Sequence, residues 1–474
     1  MSNHDQGQDP GLPPQPRAVL RGHKAQVHAA AFIRSNQRLL TGDADGFVVA
    51  WDLAIMRPRV VWQAHMGVIL GIEGWAPDKI ITHGRDNKLI IWKLALEDES
   101  ALSSTLPLDP TTELRPKPWM LHLLEVNTMN FCSFASCPTA PFAVPAASAT
   151  PAPSSAQTSV PGSDLLLAVP NTLASEAVDI YNLPSQTRIL TVRLGQENGM
   201  AMALALFWLN GVLTLVVGYE NGLAVVAQLD LSGDGSWATI YRNKSHSQPI
   251  LSLDVAPNRE YFLTTGADAT IAKHPLLPQA PLVPDSARDA SETGSPHIGP
   301  KDMPSKGEED AELGTEKKQP TSALSAALAS HKSAARPVPL KKFEIKTQPI
   351  KVIDTKHSGQ QGLRIRSDGR VFATAGWDSK TRVYSTKSMR EVAVLKWHAV
   401  GCFTVAFADL TVLETSDDVA TPTKSTDEDA ASTTVVAPRL LKVTVKERRV
   451  KQAMDAHWLA SGSKDGKVSL WDVF

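Results

Sequence analysis

Histidine, threonine and aspartate recur along this chain at fixed distances, and together they are the ingredients of a nucleophilic triad. His23 is followed by Thr41, Asp45 and Trp51, and His65 by Thr82, Asp86 and Trp92, with His-to-Trp steps of 28 and 27 positions. His246, Thr264, Asp268 and His274 repeat the step at 28, and His357, Thr374, Asp378 and Tyr384 at 27, with His274 and Tyr384 standing in the Trp position. A catalytic centre needs one triad in one open cleft. The same trio at constant spacing, each time closed by an aromatic side chain, is what a repeated structural network requires. A buried carboxylate or imidazole is costly unless paired, and an indole N–H can only donate. The expectation is a protein that is not an enzyme and has no catalytic residues.

Other chemistries find little support in the residues. Cys132 and Cys137 stand at C-x4-C spacing with no second pair, a poor zinc site, and read as buried thiols. With Cys402 they make three cysteines, too few and too unevenly spaced for a disulfide framework. Phosphate-loop, kinase and dinucleotide motifs are absent from the sequence, so no cofactor and no metal are expected. Lys and Arg number 48 against 49 Asp and Glu, a formal net charge of −1, which removes the overall electrostatic drive of a nucleic-acid or acidic-membrane binder. Apolar residues at 42% and charged residues at 20% fit a globular chain. The opening MSNHDQGQDPGLPPQP lacks a basic-then-apolar leader pattern, which reads as intracellular.

The recurring residues must sit on recurring elements. Around them, short β-rich runs alternate with turn residues, which reads as a four-stranded antiparallel sheet of roughly 40 residues per unit. The last unit, HWLASGSKDGKVSLWDVF, carries Ser461, Asp465 and Trp471; its His is His398, 73 positions before Trp471, so an insertion intervenes. A third unit runs from Asn127, in the His position, to Tyr181, and its excess length matches the Pro/Ala/Ser/Thr-rich stretch 138–163. A fourth, from Gly199 to Leu229, keeps the turn pair Asn221-Gly222 but has neither the His nor the Trp. Met200 to Gly218 is long and apolar enough to suggest a membrane span, yet Asn210-Gly211 in its middle is a hairpin signal that divides it into two buried strands. The seven units predict an all-β fold, a seven-bladed propeller. The chain stops just after the last Trp-Asp pair, and Arg17 to Leu20 is expected to close the ring as the missing outermost strand.

Residues 17–474 are expected to form the propeller after a disordered stub at 1–16. Residues 277–340, rich in Pro, Ser, Ala, Glu and Lys, predict a disordered insertion, and 411–454 a partly disordered one in the last blade. A shorter polar insertion spans 95–117. Within the last insertion, LLKVTVKERRVK alternates apolar and basic residues and reads as a solvated strand; a basic hairpin touching nucleic acid, or an import signal over 442–451, are the sharper alternatives.

The pairs GH at 22–23, WD at 51–52 and WD at 471–472 resemble the WD40 family. That resemblance implies a structural network of His23, Thr41, Asp45 and Trp51, of His65, Thr82, Asp86 and Trp92, and of Ser461, Asp465 and Trp471 in the last blade. More narrowly, PPQPRAVLRGHKAQVHAAAFIRSNQRLLTGDADGFVVAWDL, TMNFCSFASC and the closing WLASGSKDGKVSLWDVF resemble the fungal ASTRA-associated protein 1 family. The resemblance implies a scaffold subunit of the nuclear ASTRA assembly, partnered by its other protein subunits. It further implies a link to chromatin remodelling and to maturation of phosphatidylinositol-kinase-related kinases, with no direct nucleic-acid, membrane or small-molecule partner. The alternative is a G-protein-β-like adaptor or a ubiquitin-ligase substrate receptor, against which stand the short Pro/Gly-rich stub in place of a coiled-coil helix and the lack of an F-box-like segment. For partner contact, the residue preceding each turn Asp is expected to project from one face of the ring, giving Arg85, Trp377 and Lys464.

Overall fold

The computed structural model describes residues 14–109, 113–126, 131–140, 164–230, 235–276, 345–410 and 444–473. Their strands form seven antiparallel sheets of four strands each, arranged as a seven-bladed β-propeller. In chain order we number the blades 1 (27–63), 2 (69–125), 3 (135–192), 4 (201–244), 5 (250–354), 6 (360–395) and 7 (402–472). In each, the first strand lies innermost and the chain steps outward. Among the described residues, blade 7 has three strands from its own stretch, and Ala18–Arg21 supplies the fourth, pairing Ala18 with Leu470 and Arg21 with Lys467.

The local sequence explains this layering. Second strands such as Arg38–Asp43, Leu165–Pro170 and Tyr261–Gly266 are buried along their whole length, because both faces lie under neighbouring sheets. Leu165–Pro170 accordingly reads as a continuous apolar run, whereas the other two bury polar side chains, Thr41, Asp43 and Thr264 among them, that hydrogen bond inside the ring. Inner strands crowd around the channel and use small residues, as in Ala29, Ala30 and Ala31 of blade 1 and Ala203 and Ala205 of blade 4. The apolar stretch that resembles a membrane span is a hairpin, Ala201–Leu209 and Val212–Tyr219, turning through Asn210 at φ 50° and Gly211 at φ 79°. Among the described residues, no helix is long and apolar enough to cross a membrane.

A turn glycine couples neighbouring blades. Gly46 has φ +80°, and a Cβ placed there would stand 2.0 Å from the carbonyl oxygen of His65 in the next blade's entry segment. The backbone N–H of Ala64 in turn donates to the Gly46 carbonyl at 2.9 Å. At Gly466, φ +74°, a Cβ would likewise stand 2.4 Å from the carbonyl oxygen of His23, across the seam where the ring closes. Only glycine tolerates both the left-handed backbone and that proximity.

Two segments differ from the sequence expectation. The described part of the basic stretch read as a strand is a helix, α1 (Val445–Asp455), opened by a capping box in which the Thr444 hydroxyl accepts from the Glu447 N–H and the Glu447 carboxylate accepts from the Thr444 N–H. The cap and the helix-forming run KERR outweigh the short alternation of apolar and basic residues. Ala453 is buried in the core cluster that holds Trp51 and Trp458, and the Trp458 indole donates to the Ala453 carbonyl at 2.9 Å. The polar insertion after blade 2's third strand is also tied into the ring. Ser103 accepts from the N–H of Val61 on blade 1's outer strand at 2.7 Å, and Glu99, 1% exposed, lies among Arg34, Arg38 and Arg59. The expected disordered stretch 277–340, the Asn127 anchor, residues 141–163 and most of 411–454 lie outside the described residues.

Candidate functional site

The repeated His–Thr–Trp spacing builds one hydrogen-bond relay per intact blade. In blade 1 the Trp51 indole donates to Thr41 Oγ1 at 2.8 Å, and Thr41 Oγ1 lies 2.7 Å from His23 Nε2. Since an indole can only donate, Thr41 accepts from it and gives its own hydrogen to Nε2, which leaves the proton of His23 on Nδ1. That nitrogen faces a carboxylate at 2.7 Å, and the carboxylate belongs to Asp43, not Asp45. Asp45 is exposed in the turn. Asp43 ends the second strand, is fully buried, and also accepts from the N–H groups of Asp45 at 3.0 Å and Phe47 at 2.9 Å.

Blade 2 repeats the relay through the turn residue itself. His65 Nδ1 stands 2.8 Å from Asp86, its Nε2 stands 2.8 Å from Thr82, and the Trp92 indole donates to Thr82 at 2.8 Å. Burial works to raise the Asp86 carboxyl, but the hydrogen bonds from His65 and the Met66 N–H hold it below its ordinary value. In blade 5, His246 meets Asp268 at 2.9 Å and Thr264 at 2.8 Å. His274 replaces the indole there and extends the chain, with Nε2 at 2.9 Å from Thr264 and Nδ1 at 2.9 Å from the Tyr241 hydroxyl of blade 4. Burial pulls the His274 imidazole down to about 3, so it is neutral near pH 7 and can donate from one nitrogen while accepting at the other.

Blades 6 and 7 depart from the pattern. In blade 6, Arg382 forms a two-pronged pair with Asp378, at 3.1 and 2.6 Å, and His357 is left 3.9 Å from that carboxylate. In blade 7 the hydroxyl that joins Trp471 to His398 is Ser469, at 2.9 Å from each, and not Ser461. Ser461 is the cross-strand partner of Ser469, but its hydroxyl is taken by Thr381 of blade 6 at 2.6 Å. Asp465 lies 3.8 Å from His398, beyond hydrogen-bond range, and pairs with Lys467 at 2.8 Å.

These relays are buried, so they hold blades together and offer nothing to a ligand. The residues proposed for contact lie elsewhere and are exposed: Arg85, Trp377 at 48% and Lys464. Trp377 donates to Gln361 Oε1 at 2.8 Å and shares with Lys464 a hollow of about 550 Å³ that also touches Val400 and Phe403. The same indole lines the mouth of the central channel, about 520 Å³, with His28, Leu70, Phe131, Met202 and Leu251. Arg85 joins this rim through Phe131, its guanidinium standing 4.2 Å over the ring. The three residues therefore fall around one apolar channel mouth ringed by aromatic and cationic side chains. Sequence reading misses the apolar lining, because Leu70, Met202 and Leu251 come from inner strands of three different blades.

Among the described residues no group of three or more His, Cys, Asp or Glu side chains is gathered as a metal site. Cys132, Cys137 and Cys402 are buried free thiols, and burial pushes Cys402 up to about 11 and Cys137 to about 12, far from a reactive thiolate.

The model of the family described as ASTRA-associated protein 1 matches residues 16–471. The ASTRA-associated protein 1 of Pyricularia oryzae is 50% identical over 98% of this chain and 98% of its own length. That of Verticillium alfalfae is 48% identical over 97% of this chain and 93% of its own. That of Schizosaccharomyces pombe is 28% identical over 83% and 93%.

Proposed function

The chain belongs to the ASTRA-associated protein 1 family, and from that premise we propose that it is a non-enzymatic scaffold subunit of the nuclear ASTRA assembly. The reading carries with it a link to chromatin remodelling and to the maturation of phosphatidylinositol-kinase-related kinases. The supporting observation is the full-length match to relatives whose name states association with ASTRA. A closed ring suits that role, since its regularly spaced polar groups are spent on internal relays and its open surface is free for protein contact. The channel mouth is the docking face on this reading. Trp and Arg are the residues most enriched among interface hot spots, and here they flank an apolar hollow.

Affinity purification of the tagged full-length chain, followed by mass spectrometry, tests the assignment. The other ASTRA subunits should co-purify, and a combined Arg85→Ala, Trp377→Ala, Lys464→Ala variant should lose them while keeping its melting temperature. A folded triple variant that retains them moves the contact to another face. A wild-type chain that recovers none of them, or a fluorescent fusion excluded from the nucleus, overturns the assignment itself.

A further inference from the structure

Away from the channel, blade 1 and α1 enclose a second hollow. Its volume is about 460 Å³, and its walls are the end of blade 1's third strand and the turn after it, the 96–99 loop, and one face of the helix. The floor is aliphatic. Ile55 is 52% exposed and Leu96 50%, and they face Val450 and the buried Ala453 of α1. Half-exposed aliphatic side chains gathered in a concave site mark a contact surface rather than scattered surface residues.

Among the residues lining this floor, the cations Arg38, Arg59 and Lys446 outnumber the carboxylates Asp52 and Glu99, with Glu97 and Asp98 exposed in the adjoining loop. Glu99 is the buried centre, accepting from Arg38 at 2.8 Å, with Arg34 in direct contact and Arg59 Nε at 3.5 Å. Arg38 also reaches Asp52 at 3.4 Å. Three guanidinium groups thus share two carboxylates. Arg34 and Arg38 are nearly enclosed and spend their charge inward, whereas Arg59 is 46% exposed and held only by its longer contact. Lys446 adds an exposed ammonium on the opposite wall. Around it, α1 exposes Arg448, Arg449 and Lys451.

We infer that this groove is a second docking surface, which takes an acidic protein segment carrying an aliphatic anchor residue. The anchor fills the floor between Ile55, Leu96 and Val450, and the flanking carboxylates pair with Arg59 and Lys446. The aliphatic floor suits such a peptide better than a nucleic-acid backbone, which gains nothing from aliphatic lining. The inference is independent of the channel mouth and goes beyond the ASTRA assignment.

The test uses the full chain and a fluorescein-labelled peptide of glutamates spaced by leucines, followed by anisotropy. Binding should weaken as salt is raised. A Gln-for-Glu peptide and an Ala-for-Leu peptide should each bind about tenfold more weakly or worse. Arg59→Glu with Lys446→Glu should give a similar loss at an unchanged melting temperature. Should that charge reversal unfold the protein, Ile55→Ser with Leu96→Ser removes the floor at exposed positions and should give the same loss. The channel-mouth triple variant should bind as wild type does. The inference is overturned if wild type does not bind the peptide, if the folded groove variants bind it unchanged, or if the Ala-for-Leu peptide binds equally well. Tighter binding of duplex DNA than of the peptide, or loss of peptide binding in the channel-mouth variant, also overturns it.

Discussion

His23 Nδ1 lies 2.7 Å from Asp43 Oδ2, with both side chains wholly shielded from solvent, while Asp45 two residues later faces outward. The carboxylate at the end of the second strand thus fixes the imidazole, and through it the Thr41–Trp51 relay. Asp43→Ala leaves a buried N–H and two backbone donors without their acceptor and should cost about 1–3 kcal/mol. Asp45→Ala should stay within about 0.5 kcal/mol of wild type, as exposed substitutions usually do. Urea denaturation of both variants decides between them, and equal losses would return Asp45 to the network.

Acid should destabilise the ring through its neutral buried imidazoles. Burial lowers His83 and His274 from 6.5 to about 3 in the folded protein. Between those values the unfolded chain binds protons that the folded one refuses, so stability is full above pH 6.5 and falls as pH drops toward 3. Each such histidine removes about 1.4 kcal/mol per pH unit inside that window. Neither ring nitrogen of His83 has a hydrogen-bond partner among the described residues, so His83→Leu removes a titrating group without orphaning another. Its urea midpoint at pH 7.5 should match or exceed that of wild type, and its decline toward pH 5 should be shallower. An identical pH slope in the variant would exclude His83 as a contributor.

Glu99 is the other buried group whose removal should be felt. Arg34 and Arg38, with side chains 8% and 9% exposed, converge on it. Glu99→Gln keeps the volume but leaves enclosed guanidinium groups short of a counter-charge, a change worth about 3–5 kcal/mol in buried pairs. The same loop caps the edge of blade 1 through the Val61–Ser103 hydrogen bond, so the variant should also be cut faster by protease between residues 96 and 109. A variant as stable and as resistant as wild type would show that the arginines are satisfied without the acid.

The ring was legible because its sequence signals are redundant: the His-to-Trp step, the Asn-Gly turns and the short β-rich runs between turn residues each point to the same sheet. Individual partners were less so, because two candidates often lie within one side chain's reach. Asp43 and Asp45 flank the same turn, and the spacing of 22 residues from His246 to Asp268 favours Asp45, although His65 to Asp86 spans 21 and His23 to Asp43 spans 20. Ser461 and Ser469 face each other across one strand pair, and a hydroxyl from the neighbouring blade decides which is free. Such cross-blade competition leaves no trace in spacing within a blade, and inside blade 6 it is Arg382, four residues after Asp378, that takes the carboxylate from His357. Helix α1 did leave one, since Thr444 and Glu447 spell a capping box ahead of the basic run.

Closure of the ring rests on a short strand far from the rest of its blade in sequence. Ala18–Arg21 completes blade 7, Leu20 is 3% exposed in the cluster with Trp51 and Leu470, and Arg17 pairs with Asp472 at 3.2 Å. Because stacked blades stabilise one another, loss of this strand should weaken the whole ring rather than one sheet. Leu20→Ala should lower stability by about 2–5 kcal/mol, the usual cost of emptying a packed leucine site. A chain beginning at Gly22 should melt lower still and tend to aggregate, since it bares the edge of Lys467–Asp472. A synthetic peptide spanning residues 14–21 should bind that edge and raise the melting temperature of the shortened chain, whereas a peptide carrying Asp in place of Leu20 should not. If the shortened chain melts with wild type, or if the peptide has no effect on a folded shortened chain, the N-terminal strand does not hold the ring shut.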